Sequence, residues 1–193
     1  MSISARITAF FIARSIIPSA DREIYEYGFE LLIADLINFS AILLIGGLAG
    51  QLWYSVLYLF IFVGLRSFCG GYHAKTHLHC HICTIGAYLL FMLCNMWLSP
   101  DNAILLLGEN LLASVPVVLF APIPHANKPL TDAVRKKNRR FSIVLYYSLT
   151  LLAFVLCLYH RQEGATISLT LWIVSLCMIS AIYIHSRKGR KTS

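Results

Sequence analysis

Charge is scarce in this chain. Only 13% of its 193 residues are Asp, Glu, Lys or Arg, against about 25% in an ordinary soluble domain. Hydrophobic residues make up 58%, and the mean hydropathy is +0.70. So few charges cannot clothe a water-facing surface, which argues against a soluble globular domain and makes lipid the expected solvent. Acidic groups are the scarcest: nine Asp and Glu stand against sixteen Lys and Arg, for a net charge of +7. The basic excess is not interleaved with aromatics as a base-stacking surface requires, so no nucleic-acid partner is expected. It falls instead in patches between apolar stretches, where membrane topology accounts for it. A secreted-type disulfide framework is missing too. Of six cysteines, Cys94, Cys157 and Cys177 sit within apolar runs and read as small buried hydrophobes. Cys69, Cys80 and Cys83 cluster in one polar segment. The N-terminal stretch is no convincing signal peptide, since Arg14 interrupts it and no small-residue cleavage site follows. There is no internal repeat and no low-complexity segment.

What is present is a series of apolar segments. A spanning helix takes about 20 residues. Spans are expected at 28–48, 52–65, 81–98, 103–121 (kinked at Pro116), 141–159 and 166–185. The second is short unless it runs on into the polar segment. Turns fall at Gly50-Gln51 and at 99–102, a polar and basic connection at 122–140, and a short loop at 160–165. Ahead of the first span, Ile3, Ile7, Phe10, Phe11 and Ile17 recur at near-helical spacing with Ser4, Arg6 and Arg14 among them, which predicts an amphipathic surface helix. Ser19 suits the N-cap of the next helix, with Asp21 and Glu23 in its first turn. The reading is an all-α integral membrane protein of about six transmembrane helices, forming one polytopic domain over residues 1–193. Six spans put both termini on one side. Fifteen of the sixteen Lys and Arg then share that side, and only Arg161 lies opposite. The positive-inside rule makes that side cytoplasmic, where thiols stay reduced.

Chemistry concentrates between residues 66 and 83: Arg66-Ser67-Phe68-Cys69-Gly70-Gly71-Tyr72-His73-Ala74-Lys75-Thr76-His77-Leu78-His79-Cys80-His81-Ile82-Cys83. Taken on spacing alone, two readings stay open. Cys69, His73, His77, His79, Cys80, His81 and Cys83 are suitable zinc or copper ligands, although the paired spacings of closed structural sites are only partly met. That reading makes the chain a metal-binding membrane transporter or sensor. The other is a cysteine nucleophile with a histidine to generate its thiolate.

The pattern R-x-x-x-G-G-x-H-A, with a cysteine seven residues after its histidine, resembles the accessory gene regulator B (AgrB) family of bacterial membrane endopeptidases. Tyr25-Glu26-Tyr27-Gly28, Ala121-Pro122 and Asn127-Lys128-Pro129 are similar to that family's other recurrent stretches, as are the length and the layout of spans. The resemblance implies an enzyme in the bacterial cell membrane that cuts a short, AgrD-like pheromone precursor near its C-terminus. It implies Cys80 as the nucleophile, holding the N-terminal part as a thioester, and His73 as its base. An internal cysteine or serine of the peptide then closes a thiolactone or lactone ring. The resemblance implies no cofactor and no metal.

Geometry constrains this pair. Seven residues along a straight α-helix rise about 10 Å, too far for a hydrogen bond of about 3 Å. Cys80 is therefore expected at the start of the third span, with His73 on an irregular or re-entrant stretch that begins at Gly70-Gly71. These glycines either form a plain turn or also turn their N–H groups toward an oxyanion. Arg66 is either a substrate contact or an interfacial anchor. The basic loop, with Lys128, is a candidate contact for the precursor's tail. Asp35 or Glu30 in the first span either orients His73 or bonds between helices, and Glu109 is expected to meet a polar group inside the bundle. His77, His79 and His81 read as mouth residues without a required role. Polar groups on short helices also make a homodimer reasonable.

Overall fold

In the computed structural model, residues 2–70, 77–98, 100–123 and 131–189 are described, with 77–80 and 184–189 described by backbone alone. The described residues form helices α1 (Ile3–Ala13), α2 (Arg22–Leu48), α3 (Leu52–Cys69), α4 (His77–Trp97), α5 (Ala103–Ala113), α6 (Val115–Phe120), α7 (Asp132–Leu158) and α8 (Gln162–Gly189). Five helical segments are long and apolar enough to cross a membrane: Ser19–Leu48, Leu52–Cys69, Ala103–Phe120, Asp132–Leu158 and Gln162–Tyr183. Against the six expected, α4 contributes a shorter apolar helix over His81–Trp97.

The distribution of side chains is that of a lipid-facing bundle. Leu48, Phe60 and Trp97 are each more than four-fifths exposed, while Asn38, Ser55, Asn95, Asn110, Thr166, Ser168, Thr170 and Ser175 are buried. Lipid tails are as apolar as leucine, so helices gain little by hiding leucine from them. Close packing and interhelical hydrogen bonds must hold the bundle together instead. Helix α8 takes part in several of these bonds. Thr166 donates to Asn95 Oδ1 of α4 (2.9 Å), and Ser175 donates to the carbonyl of Ala113 (2.6 Å). Asn110 of α5 donates to Ser168 Oγ (2.8 Å). Gln162 donates to the carbonyls of Asn95 and Leu98, each at 3.0 Å, closing the end of α4.

Two small departures from the expected boundaries have a common cause. The expected connection at 122–140 is partly helix: α7 begins at Asp132, so Arg135 to Arg140 lie on its first turns. Lysine and arginine are good helix formers that merely disfavour lipid, and hydropathy reports only the second property. Arg139 then donates to the carbonyl of Val118 at the end of α6 (3.0 Å). Likewise α8 starts at Gln162, inside the expected 160–165 loop, whereas α2 starts at Arg22, ahead of the apolar run as expected. Asp21, not Ser19, holds the N-cap position of α2; Ser19–Asp21 is a short 3-10 turn. The fourth segment breaks at Ser114, with Pro116 near the start of α6.

Helix α1 forms where expected and buries its small, polar face: Ser4, Ala5 and Thr8 are covered, Ile3 and Phe10 face outward. Ser4 donates to Glu30 (3.3 Å), and Phe11 stacks on Phe29 (5.7 Å). Residues seven apart on α1 thus both meet α2.

Helices α2 and α4 run parallel. Asn38 meets His81, Gly46 meets Tyr88 and Gln51 meets Asn95, so the sequence offset stays within one residue of 43. The middle contact is the tightest. Tyr88, fully buried, shares a hydrogen bond with Ser55 of α3 (2.7 Å), and both sit where a side chain on Gly46 would be. A Cβ on Gly46 would lie 2.7 Å from the Tyr88 hydroxyl and would overlap Ser55 Oγ. Gly46→Ala should therefore destabilise the bundle by about 1–3 kcal/mol, seen as a lowered thermal midpoint in detergent. Gly47→Ala, with open space around it, serves as the control that should leave the midpoint in place.

Candidate active site

The polar segment begins at the end of α3. Gly70 caps that helix with φ 73° and ψ −176°, a backbone conformation open essentially to glycine alone. Its N–H is donated to the carbonyl of Arg66 (3.1 Å), as part of the helix end. The backbone of Ile123 lies directly against it: Ile123 N–H donates to the Cys69 carbonyl (3.0 Å), and a Cβ on Gly70 would stand 2.6 Å from the Ile123 oxygen. The chain after α6 is thereby bound to the point where α3 ends. Phe68 packs on Phe141 of α7 (4.8 Å) and ties the same end to a third element.

Helix α4 resumes at His77, so Cys80 lies on its first turns. The parallel register with α2 sets that turn level with the polar residues of the first span. His81 Nδ1 lies 2.7 Å from Asn38 Oδ1, and Asn38 is buried. The amide oxygen accepts, so Nδ1 is the donor. Asp35, one turn before Asn38, lies within electrostatic range of both His81 and Arg66. Arg66 extends over the ring of Phe62, 5.5 Å from its centroid. One layer across α2, α3 and α4 therefore gathers Asp35, Asn38, Arg66 and His81. Glu30 is placed differently, with α1 through Ser4.

His73, Gly71 and Lys128 lie outside the described residues, as does the side chain of Cys80. Sequence spacing offers His81 only as a metal-ligand candidate or a mouth residue without a required role, and does not show its bond to Asn38. Its partner is 43 residues away in sequence, and no local pattern reports that separation. Of the other cysteines, Cys69 is fully buried at the end of α3, Cys157 is buried, Cys94 is exposed on the outer face, and Cys83 and Cys177 line a common cavity. Among the described residues no three His, Cys, Asp or Glu side chains converge as a metal site would require. Asn110 bonds within the bundle, while its neighbour Glu109 lines a cavity between α4, α5 and α8.

Comparison with known proteins gives a consistent picture. The family model described as Accessory gene regulator B matches residues 4–183. Two proteins of Clostridium perfringens named as AgrB-like are each 24% identical to this chain. The one from strain SM101 aligns over 153 residues, 66% of this chain and 70% of its own length. The one from strain 13 aligns over 152 residues, 66% and 69%. An AgrB-like protein of Listeria innocua is 26% identical over 134 residues, 68% of this chain and 64% of its own. No solved structure matches the chain.

The backbone at Gly70 makes a direct prediction. Gly70→Ala forces a side chain into a glycine-only conformation, at about 1–3 kcal/mol, and drives Cβ against the Ile123 carbonyl. Thermal unfolding in detergent should show the loss. Because the strain is local, the solvent reactivity of Cys83 beyond the segment should change as well. An unchanged midpoint for Gly70→Ala would contradict the capping geometry.

Proposed function

We propose that this chain, which belongs to the accessory gene regulator B family, is a membrane cysteine endopeptidase that trims and cyclises a pheromone precursor. It acts in peptide quorum sensing, in the bacterial cell membrane, on an AgrD-like peptide. Helix α4 serves as a sixth span, both termini are cytoplasmic, and the active site opens on the cytoplasmic side.

The observation that carries this reading is the polar layer around the first turns of α4. Ionisable groups at membrane depth are costly and are retained where they line a functional cavity. Asp35, Arg66 and His81 converge there beside the residue that the family pattern marks as nucleophile.

In this mechanism His73 takes the proton of Cys80, and the thiolate attacks the scissile carbonyl. The carbon–nitrogen bond breaks, His73 returns the proton to the leaving amine, and the C-terminal tail departs. The N-terminal part remains as a thioester on Cys80. An internal thiol or hydroxyl of the peptide then attacks that thioester, forms the ring bond and releases the Cys80 thiol. The thioester keeps the energy of the cleaved bond, and excluding water protects it from hydrolysis.

Gly70 contributes as the fixed end of α3, since its N–H is already donated within the helix; Gly71 is the better candidate for an oxyanion donor. Arg66 receives a carbonyl or carboxylate of the substrate. Lys128 and the basic start of α7 draw in the precursor's tail. Asp35 acts as the orienting carboxylate, because it shares the layer with Arg66 and His81, whereas Glu30 is held by α1.

Two measurements test this. Mass spectrometry of an AgrD-like precursor co-expressed with the chain should reveal a truncated peptide one water lighter than its linear form. That product should be missing with Cys80→Ala and with His73→Ala. An intact peptide in all three samples would count against the activity. For the carboxylates, Asp35→Asn should lower the cleavage rate by about tenfold or more, and Glu30→Gln should lower it much less; the reverse order would exchange their roles.

A further inference from the structure

The two ends of α4 are held in different ways. At the C-terminal end, buried Asn95 donates to Gln51 Oε1 (3.3 Å), accepts from Thr166 (2.9 Å) and gives its carbonyl to Gln162 (3.0 Å). In the middle, Tyr88 is fully buried against Gly46 and Ser55. Toward the N-terminal end this close packing gives out. A cavity of about 240 Å³ lies between α3, α4 and α8, with Cys83, Thr84 and Ala87 of α4 in its lining, and Ile82 is exposed. Among the described residues, one side-chain hydrogen bond joins residues 81–87 to another helix: His81 Nδ1 to Asn38 Oδ1, at 2.7 Å. Asn38 is only 2% exposed, so its amide oxygen has little competition from water.

That bond lies beside the candidate nucleophile. Cys80 precedes His81 by one residue on the same helix. Cys83, Thr84 and Ala87 follow Cys80 by three, four and seven residues, so the cavity runs along the stripe that carries its register position. A helix with a cavity along one face has room to turn or tilt there. Its first turn is then placed by whatever holds another face. A misplacement of about 1 Å can cost about 100-fold in rate, so a bond at this point has kinetic weight beyond its small share of stability.

We propose that Asn38 is a positioning residue of the candidate site: through His81 it fixes the rotation and depth of the first turn of α4, and with it the placement of Cys80. The proposal rests on the peptidase reading above for the role of Cys80 and adds the residue pair that places it. The bond asks His81 only to donate an N–H, which an imidazole does in its neutral and its protonated form. His81 is thus a fixed donor, and the proton chemistry stays with His73.

The test uses the full-length protein in detergent with a synthetic AgrD-like precursor. Asn38→Leu and His81→Leu each break the bond and should lower kcat by about tenfold or more, with little change in KM. The double variant should be no slower than either single one, because a single shared interaction is lost. His81→Asn sets an amide N–H where Nδ1 stood but cannot carry a proton, and it should restore most of kcat. Asn95→Leu disturbs the other end of α4; it should lower the thermal midpoint without that loss of kcat. Should a leucine variant fail to fold, His81→Gln, whose donor stands one bond farther out, replaces it and should be slower than His81→Asn. The alkylation rate of Cys80 by iodoacetamide, followed by mass spectrometry, should change in the leucine variants and return in His81→Asn. An unchanged kcat and alkylation rate in the leucine variants would overturn the proposal. So would additive losses in the double variant. His81→Asn as slow as His81→Leu would make the ring a proton carrier and overturn it too. If unmutated protein leaves the precursor uncut, the peptidase reading fails, and the alkylation series alone decides whether Asn38 places Cys80.

Discussion

The contact of Tyr88 with Gly46 and Ser55 sets where α4 lies. Lipid provides no hydrophobic drive to bring helices together, so their relative height depends on small residues that admit close approach and on hydrogen bonds across the gap. Gly46 admits the tyrosine hydroxyl, and Ser55 shares a hydrogen bond with it. From there the offset near 43 holds in both directions, to Gln51–Asn95 at one end of α4 and Asn38–His81 at the other. A helix that slid by one turn would carry its first residues about 5.4 Å past the Asp35–Asn38 layer. The same movement would separate His81 from its acceptor. The arrangement of polar groups at the candidate site is thus a consequence of packing in the middle of the bundle.

How much of this could be read from the chain depends on which physical property each feature uses. Burial in lipid is a property of composition, so the apolar runs at 28–48, 103–121, 141–159 and 166–185 all reappear within helices. Helix formation is a different property. It continues through Arg135 to Arg140, because lysine and arginine are good helix formers whatever the surrounding solvent. A reading that equates the end of hydropathy with the end of a helix therefore stops short on the charged side. The break near Pro116 was legible because proline removes a specific donor. The motif glycine Gly70 was legible as a chain break. What presses on it, the Ile123 backbone, comes from a segment more than fifty residues later and leaves no local trace.

The polar residues of the spans illustrate the same limit more sharply. Asp35, Asn38 and Glu30 lie within nine residues on one helix, and sequence alone leaves Asp35 and Glu30 as equivalent candidates for one role. Tertiary packing divides them. Glu30 faces α1 through Ser4, Asn38 faces His81, and Asp35 lies in range of Arg66 and His81. Periodicity places residues on faces of one helix. Which neighbour covers that face is decided by register between helices, and register is set by contacts such as Tyr88–Gly46.

A thioester held on Cys80 would have two fates, attack by the peptide's own nucleophile or attack by water, and the surroundings of α4 bear on that choice. Water reaches a site through polar, solvated walls. The wall along the Cys80 stripe is instead formed by Ala87, Leu90, Ile173 and Leu176, with Phe62 on the facing helix. An internal nucleophile tethered by a few residues enjoys a high effective concentration, which bulk water, excluded from that wall, does not match. Apolar lining and retained charge then have complementary parts. On the proposed peptidase reading the apolar wall keeps the acyl group dry, and Asp35 and Arg66 act at its edge. On that reading the membrane is more than an anchor: the apolar interior that folds the bundle would also favour a ring over a hydrolysed peptide.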